Sequence, residues 1–166
     1  MRLALVLLSA VFAAPAPAAG AEPEIVREAA QPPTIGAVHT LRQIPEACAR
    51  IEGVFTGDPG APYRHAVVRT SERCQSRARF VDAAKAMPSV AGGWVLNDLL
   101  RVPRAGCPSQ QAVVKIWRRP AGEAPERDGQ GRLRVYVDES AQTAAGPRMA
   151  PAMYAAEVAV EGKACD

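Results

Sequence analysis

Four cysteines, spread widely along the chain, constrain the fold more than any other feature of this sequence. They are Cys48, Cys74, Cys107 and Cys165, and the gaps between them are 26, 33 and 58 residues. Zinc sites and redox-active dithiols use close pairs such as C-x-x-C, which this spacing lacks. An even number of well-separated cysteines is typical of a disulfide framework in an exported protein. We therefore expect two disulfides and no metal site.

Four cysteines allow three pairings, and spacing alone does not select one of them. We expect the nested arrangement, in which Cys74 pairs with Cys107 and Cys48 pairs with Cys165. The outer bridge would then tie the last residues to the beginning of the folded domain.

The first 21 residues, MRLALVLLSAVFAAPAPAAGA, have the layout of a secretory signal peptide. Arg2 precedes an apolar stretch from Leu3 to Ala14, and small residues in A-x-A patterns follow. This stretch is too short to cross a hydrocarbon core about 30 Å thick, which disfavours the alternative of a transmembrane anchor. We expect export to the periplasm or the extracellular space. Residues 22–38 are predicted to be a flexible linker and residues 39–166 a single domain.

Short apolar segments separated by glycine and proline predict a domain rich in strands. The clearest strand places Leu133, Val135 and Val137 on one face and polar or aromatic residues on the other. Residues 77–87 predict a strand end followed by one short helix that Pro88 stops. Residues 40–50 are ambiguous between a helical turn and an extended segment. The predicted strands are 50–56, 63–70, 93–102 (ended by Pro103), 112–118, 132–138 and 154–161, the last with a helix as its alternative.

These segments predict an all-β or β-rich α+β fold. Repeated units of a strand and a long helix, which a parallel α/β sheet needs, do not occur in the sequence. Alternation within single strands favours antiparallel sheets that are buried on one face. We expect a small antiparallel sandwich or partly open barrel of five to seven strands, with at most one or two short helices, stapled by disulfides.

Two glycine-containing segments predict turns. Gly57-Asp58-Pro59-Gly60 lies between two predicted strands, and Pro59 removes an amide donor that a phosphate-binding loop would need. Residues 128–131, Asp-Gly-Gln-Gly, contain too few carboxylates for a calcium loop and predict a hairpin turn.

Signals for catalysis are weak. His39 and His65 are the only histidines, and no G-x-S-x-G motif accompanies them. We expect His39 to be exposed beside the linker and His65 to be an ordinary strand residue. No catalytic residue or cofactor is predicted. The alternative is a small hydrolase or lyase in which His65 works with carboxylates such as Glu52 and Asp98.

One polar pair, Asn97-Asp98, interrupts an apolar run that begins at Trp94. The pair predicts a turn or a bulge within a strand. The alternative is a polar feature of a ligand groove beside Trp94.

Charge is distributed unevenly around a formal net charge of +3. Residues 64–119 hold nine arginines and two lysines against three carboxylates, whereas the segments before and after are acidic. A concentrated basic surface attracts anionic partners, although pairing between basic and acidic strands is an alternative. We predict a non-enzymatic binding or accessory protein whose partner is an anionic envelope component or another exported protein. Export argues against nucleic acid as the anionic partner. The candidate binding residues are Arg64, Arg69, Arg73, Arg77, Arg79, Arg101, Arg104, Lys115, Arg118 and Arg119.

Overall fold

The structure is a computed structural model that describes residues 21–121, 128–132 and 150–165. Within these ranges the chain forms eight strands, one 3-10 turn and one short helix. The strands are β1 (Ile25–Val26), β2 (His39–Ile44), β3 (Ala49–Phe55), β4 (Tyr63–Arg69), β5 (Ala78–Phe80), β6 (Val95–Arg104), β7 (Cys107–Arg119) and β8 (Ala152–Glu161). The 3-10 turn is Pro45–Ala47, and the helix, α1, is Ala83–Ala86.

The strands form two sheets that pack face to face. The large sheet has the order β1-β6-β7-β8-β5, and the small sheet has the order β2-β3-β4. Ile51 and Phe55 from the small sheet share one buried core with Val102, Val114 and Ile116 from the large sheet. The predicted β fold is confirmed as an open two-sheet sandwich rather than a closed barrel. The strand number exceeds the prediction because the very short β1 and β5 add to the large sheet in parallel.

β3 and β4 form the expected hairpin. β3 alternates buried and half-buried residues along its length, and Ile51 and Phe55 point into the core. The antiparallel register pairs Ile51 with Val67 and Gly53 with His65, so these residues of β4 share the inward face. The turn between the strands is closed by the Asp58 side chain, which accepts the Gly60 amide at 2.8 Å.

A cluster of rings lies at the turn end of this hairpin, where Phe55 pairs with Tyr63. His39 Nε2 lies 2.9 Å from the Tyr63 hydroxyl, and the rings of Phe55 and Tyr63 meet edge to face with centroids 4.8 Å apart. His39 is therefore half-buried rather than exposed, because β2 carries it over Tyr63. Gly53 makes room for this arrangement, since a Cβ atom built on it would overlap the Tyr63 hydroxyl.

β6 contains the predicted bulge. Its register with β7 shifts between Leu96 and Asp98, which places Asn97 at an extra position. The expectation that Pro103 ends the strand is wrong, because β6 continues to Arg104. The carbonyl of Arg101 faces the N-terminal segment, so by alternation the Pro103 nitrogen also points away from β7. The proline therefore removes no hydrogen bond from the ladder between β6 and β7.

The other elements follow the sequence pattern closely. β8 is a strand rather than the alternative helix, and it pairs with β7 from Met153 to Glu161. The ambiguous segment 40–50 divides into β2, the 3-10 turn that begins at Pro45, and the start of β3. Residues 77–87 supply β5 and α1, as expected. The segment 128–131 is a turn, in which the Gly131 amide donates to the Asp128 carbonyl at 2.7 Å.

The structure contains two disulfides, as expected, but the predicted pairing is wrong. Cys48 bonds to Cys74, and Cys107 bonds to Cys165. The 3-10 turn ends at Cys48, whose left-handed backbone turns the chain toward the loop that follows β4 and contains Cys74. Cys107 opens β7, and the long antiparallel pairing brings the end of β8 and Cys165 beside it. Topology, which the spacing does not reveal, therefore sets the pairing.

Residues 22–38 are not an unpacked linker in this structure. β1 pairs with β6 at Asp98 and Leu99, and the amides of Arg27 and Ala30 donate to the carbonyls of Leu99 and Arg101 at 3.1 and 3.0 Å. The segment covers one edge of β6, which has no other partner strand on that side among the described residues.

Two predictions fall on residues outside the described ranges: the signal peptide at 1–21, except Ala21, and the strand at 132–138, except Arg132. Among the residues that the structure describes, no helix is long and apolar enough to cross a membrane.

Candidate functional site

A groove of about 830 Å³ opens between β4 of the small sheet and β8 of the large sheet. One wall is formed by His65, Ala66 and Val67 of β4, and the opposite wall by residues 156–159 of β8. Residues 80–84, which join β5 to α1, close one end, and Val113 and Lys115 of β7 complete the lining.

The groove exists because β8 is longer than the strand beside it. β5 pairs with β8 only from Ala152 to Tyr154, and the described residues place no strand beside the rest of that edge. The Val81 amide donates to the Tyr154 carbonyl at 2.8 Å, so the backbone of Tyr154 faces away from β7. Because backbone direction alternates, the N–H and C=O groups of Ala156 and Val158 also face away from β7, toward the groove.

β4 presents to the same groove a second edge, with which no strand of the described residues pairs. The Thr70 amide donates to the Cys48 carbonyl at 2.9 Å, and the Thr56 amide donates to the Pro62 carbonyl at 3.0 Å. These bonds show that the even-numbered residues of β4 direct their backbone groups toward β3. The backbone N–H and C=O groups of His65 and Val67 therefore point away from β3, and both residues line the groove.

The side chains of the groove are mainly apolar, with a few charged groups. Phe80 and Val158 pack against the main core from the groove side, and Val67 leaves 41% of its surface exposed. Lys115 and Glu157 lie directly opposite each other on neighbouring strands, where unlike charges attract. The Asp82 carboxylate accepts the Ala84 amide at 3.1 Å as the N-cap of α1.

His65 is the titratable ring of the groove. Partial burial lowers its pKa, because desolvation disfavours the charged imidazolium. The ring is therefore largely neutral at neutral pH. Neither carboxylate expected as its partner joins it: Glu52 accepts from Arg50 on the opposite face of β3, and Asp98 lies in the core region between the sheets.

Asp98 is the central group of a buried ion-paired cluster outside the groove. Its side chain is fully buried, and its Oδ2 atom lies 3.0 Å from Arg42 Nη1 and 3.0 Å from Arg27 Nε. Arg42 also donates to Asn97 Oδ1 at 2.9 Å. Two sheets and the N-terminal segment therefore meet at one carboxylate.

Trp94 is not part of that cluster. It packs with Leu96, Trp117 and Ala155 in a second apolar cluster on the outward face of the large sheet, which α1 helps to cover. The structure therefore does not place Asn97-Asp98 and Trp94 in one ligand groove.

The basic candidates lie on several surfaces. Four of them, which alternate with core residues, belong to the outward face of the large sheet: Arg79, Arg101, Lys115 and Arg119. Arg64 lies on the opposite side of the molecule, on the outward face of the small sheet, and Arg73 and Arg77 follow β4 in the disulfide-bonded loop. The predicted bridge from Cys74 to Cys107, which would have joined these groups, does not form.

Three further basic candidates make side-chain contacts away from the groove. Arg118 forms an ion pair with Glu24 at 2.8 Å, and Arg104 donates to Gln110 at 3.0 Å. Arg69 donates to the carbonyls of Ser71 and Glu72 at 3.0 and 3.1 Å, which fastens the loop after β4.

Sequence reasoning missed most of the groove. The sequence marks His65 only as a possible base and Lys115 only as one of the basic candidates. No sequence motif marks Val67, Asp82 or Glu157. They come together only because the fold brings β4, β8 and the segment from β5 to α1 around one groove. No cluster of three or more metal-ligating side chains occurs within residues 21–121, 128–132 and 150–165.

The fold and the groove define a disulfide-linked, two-sheet β protein with an open, partly apolar cleft. Comparison with models of protein families, with curated proteins and with solved structures finds no match to this chain.

Proposed function

We propose that this chain is an exported, non-enzymatic binding or accessory protein of the cell envelope or extracellular space, and that its partner occupies the groove. The groove between β4 and β8 is the observation that carries this proposal. Unpaired strand edges are normally short, charged or covered in a β protein. Two such edges facing one apolar cleft are typical of a surface that receives a partner.

Two features support export. Two disulfides with no free cysteine among the described residues are compatible with an oxidising compartment. The first 21 residues have the layout of a signal peptide. Expression of the full chain with periplasmic and supernatant fractionation tests this part, and we expect a shortened chain outside the cytoplasm.

Another exported protein suits this surface better than an anionic envelope component. The basic residues are divided among opposite faces, and several already hold carboxylate or carbonyl partners. The groove instead combines apolar side chains with backbone donors and acceptors.

Affinity purification from envelope and culture-supernatant fractions tests the binding proposal. The mature chain is compared with Val67→Lys, which places a charge in the groove, and with Arg101→Glu, which changes the outward face of the large sheet. We expect a co-purifying protein that Val67→Lys loses and Arg101→Glu retains. A partner lost only with Arg101→Glu, or released by moderate salt, would assign binding to the basic face instead.

One observation favours a second candidate, a small hydrolase or lyase. His65 lines the same groove as the carboxylates of Asp82 and Glu157, and its lowered pKa keeps a neutral base available. Hydrolysis assays on envelope polymers with His65→Ala and Glu157→Gln test it. Loss of turnover in both variants, with partner capture unchanged, would favour the enzyme.

A further inference from the structure

We infer that the groove binds an extended polypeptide segment from another protein, which adds as a strand between β4 and β8. This inference rests on the proposed binding function and names the class of its partner. The added strand would join the two sheets along the side where the sandwich is open.

The backbone geometry specifies an extended peptide rather than a small molecule. On one wall, His65 and Val67 direct N–H and C=O groups out of the small sheet, and on the other wall Ala156 and Val158 do the same from the large sheet. Each pair is spaced by two residues, the repeat at which a strand offers bonding groups to a neighbour. Another extended backbone matches that spacing along each wall.

The side chains specify the pattern of the peptide. Phe80 and Val158 pack against the core from the groove side, and the partly exposed Val67 lines the opposite wall, so alternate residues of the added strand must be apolar to cover them. Lys115 and Glu157 offset each other and His65 is largely neutral, so the carboxylate of Asp82 leaves the lining with a net charge of −1. Charge complementarity therefore favours a segment that is neutral or carries one basic residue, and its binding should depend weakly on salt.

A second copy of this chain suits the groove less well. Each strand in the described part of the chain is already hydrogen-bonded within a sheet. A copy could donate any of these described strands only by unpairing it from its own sheet, whereas an extended segment of another protein carries no such cost.

Selection from a displayed library of random nine-residue peptides provides the probe. The library is selected on the full mature chain after depletion on Val67→Lys, and selected peptides are resynthesised. We expect the selected sequences to alternate apolar and polar residues.

N-methylation of alternate backbone nitrogens, on the edge of the peptide that bonds to the groove, should lower the affinity of these peptides about tenfold or more. Each methyl group removes a hydrogen-bond donor and leaves every side chain unchanged. The inference would be overturned if the selected peptides kept their affinity after N-methylation of either edge. It would also be overturned if no peptide bound the mature chain better than the Val67→Lys variant.

Amide hydrogen exchange provides a readout that needs no variant. The amides of His65, Val67, Ala156 and Val158 should exchange rapidly in the free protein and become protected when a selected peptide binds. Protection of these amides in the free monomer would mean that residues of this chain already occupy the groove. Protection that rises with protein concentration, together with a dimer by light scattering, would assign the groove to a second copy. Either result contradicts the inference.

The two proposals fail differently. If peptides do not bind but an exported protein still co-purifies with Val67→Lys, the binding function stands and the strand-addition site is wrong. If nothing binds the mature chain in either experiment, both are wrong.

Discussion

The guanidinium of Arg42, in the small sheet, lies 3.0 Å from the fully buried carboxylate of Asp98, in the large sheet. The second oxygen of that carboxylate has no hydrogen-bond partner among the described residues, and Arg27 provides the other ion pair from the N-terminal segment. A buried charge that loses its partner is costly, so Arg42 fixes how the two sheets meet.

Replacing Arg42 tests this relationship. We expect Arg42→Met to reduce the free energy of unfolding by about 3 kcal/mol, because Asp98 would keep only the half-exposed Arg27 as a partner. Arg64→Met, on the exposed outward face of β4, should change it by less than about 0.5 kcal/mol. Urea denaturation measures both. The double variant Arg42→Met/Asp98→Leu should recover part of the loss, and no recovery would show that Arg42 acts through packing alone.

The disulfides give a second prediction. Non-reducing peptide mapping should recover Cys48 joined to Cys74 and Cys107 joined to Cys165. Their sequence separations are 26 and 58 residues, so loss of the longer loop should cost slightly more. In the chain-entropy model the losses are about 3.5 and about 4 kcal/mol. Thermal unfolding of the two paired Cys→Ser variants measures the difference, and a larger loss from the shorter loop would contradict this account.

Gly53 gives a third prediction. A methyl group at this position overlaps the Tyr63 hydroxyl, so Gly53→Ala must displace the ring and break its hydrogen bond to His39. We expect a loss of about 1–3 kcal/mol in unfolding free energy. Gly129→Ala is the matched control, because nothing lies within 4 Å of the corresponding added atom. Gly53→Ala should cost less in a Tyr63→Val background than in the parent chain, and equal costs in the two backgrounds would rule out the proposed clash.

The N-terminal segment gives a fourth prediction. Removal of residues 22–34 should expose the edge of β6, since this segment bonds to the backbone from Leu96 to Arg101. We expect faster amide exchange at the newly unpaired positions and self-association by light scattering, because exposed strand edges pair with one another. Arg27→Ala, which leaves the backbone bonds in place, should produce a smaller increase in exchange. A truncated chain that stays monomeric with unchanged exchange would show that this edge needs no cover.

The lowered pKa of His65 predicts how the free energy of unfolding depends on pH. Its folded pKa lies below the unfolded value near 6.5, so the unfolded chain binds the proton more readily. The contribution of His65 to the free energy of unfolding is complete above the pKa of the unfolded state. It is lost as the pH falls from that value through the pKa of the folded state. His65→Gln should flatten the dependence of unfolding free energy on pH in this range. An unchanged slope in His65→Gln would contradict the assignment.

The sequence predicts local elements well where the alternation is strict. β3 and the bulge in β6 follow directly from the apolar pattern and from Asn97-Asp98. It does not predict the disulfide pairing, because that depends on how the hairpin and the long strands fold back. It does not predict the groove either, because nothing in the sequence distinguishes Val67 and Val158 from other valines in strands. They line one groove only because the fold places β4 and β8 on its two sides.

The disulfides join consecutive cysteines, the first with the second and the third with the fourth. A chain that enters an oxidising compartment with its N-terminus leading presents Cys48 and Cys74 before Cys107 arrives. With the export proposed above, oxidation in order of arrival would yield the native bonds directly. A chain exported with this connectivity would need an oxidant and would depend little on an isomerase that reshuffles wrong pairs.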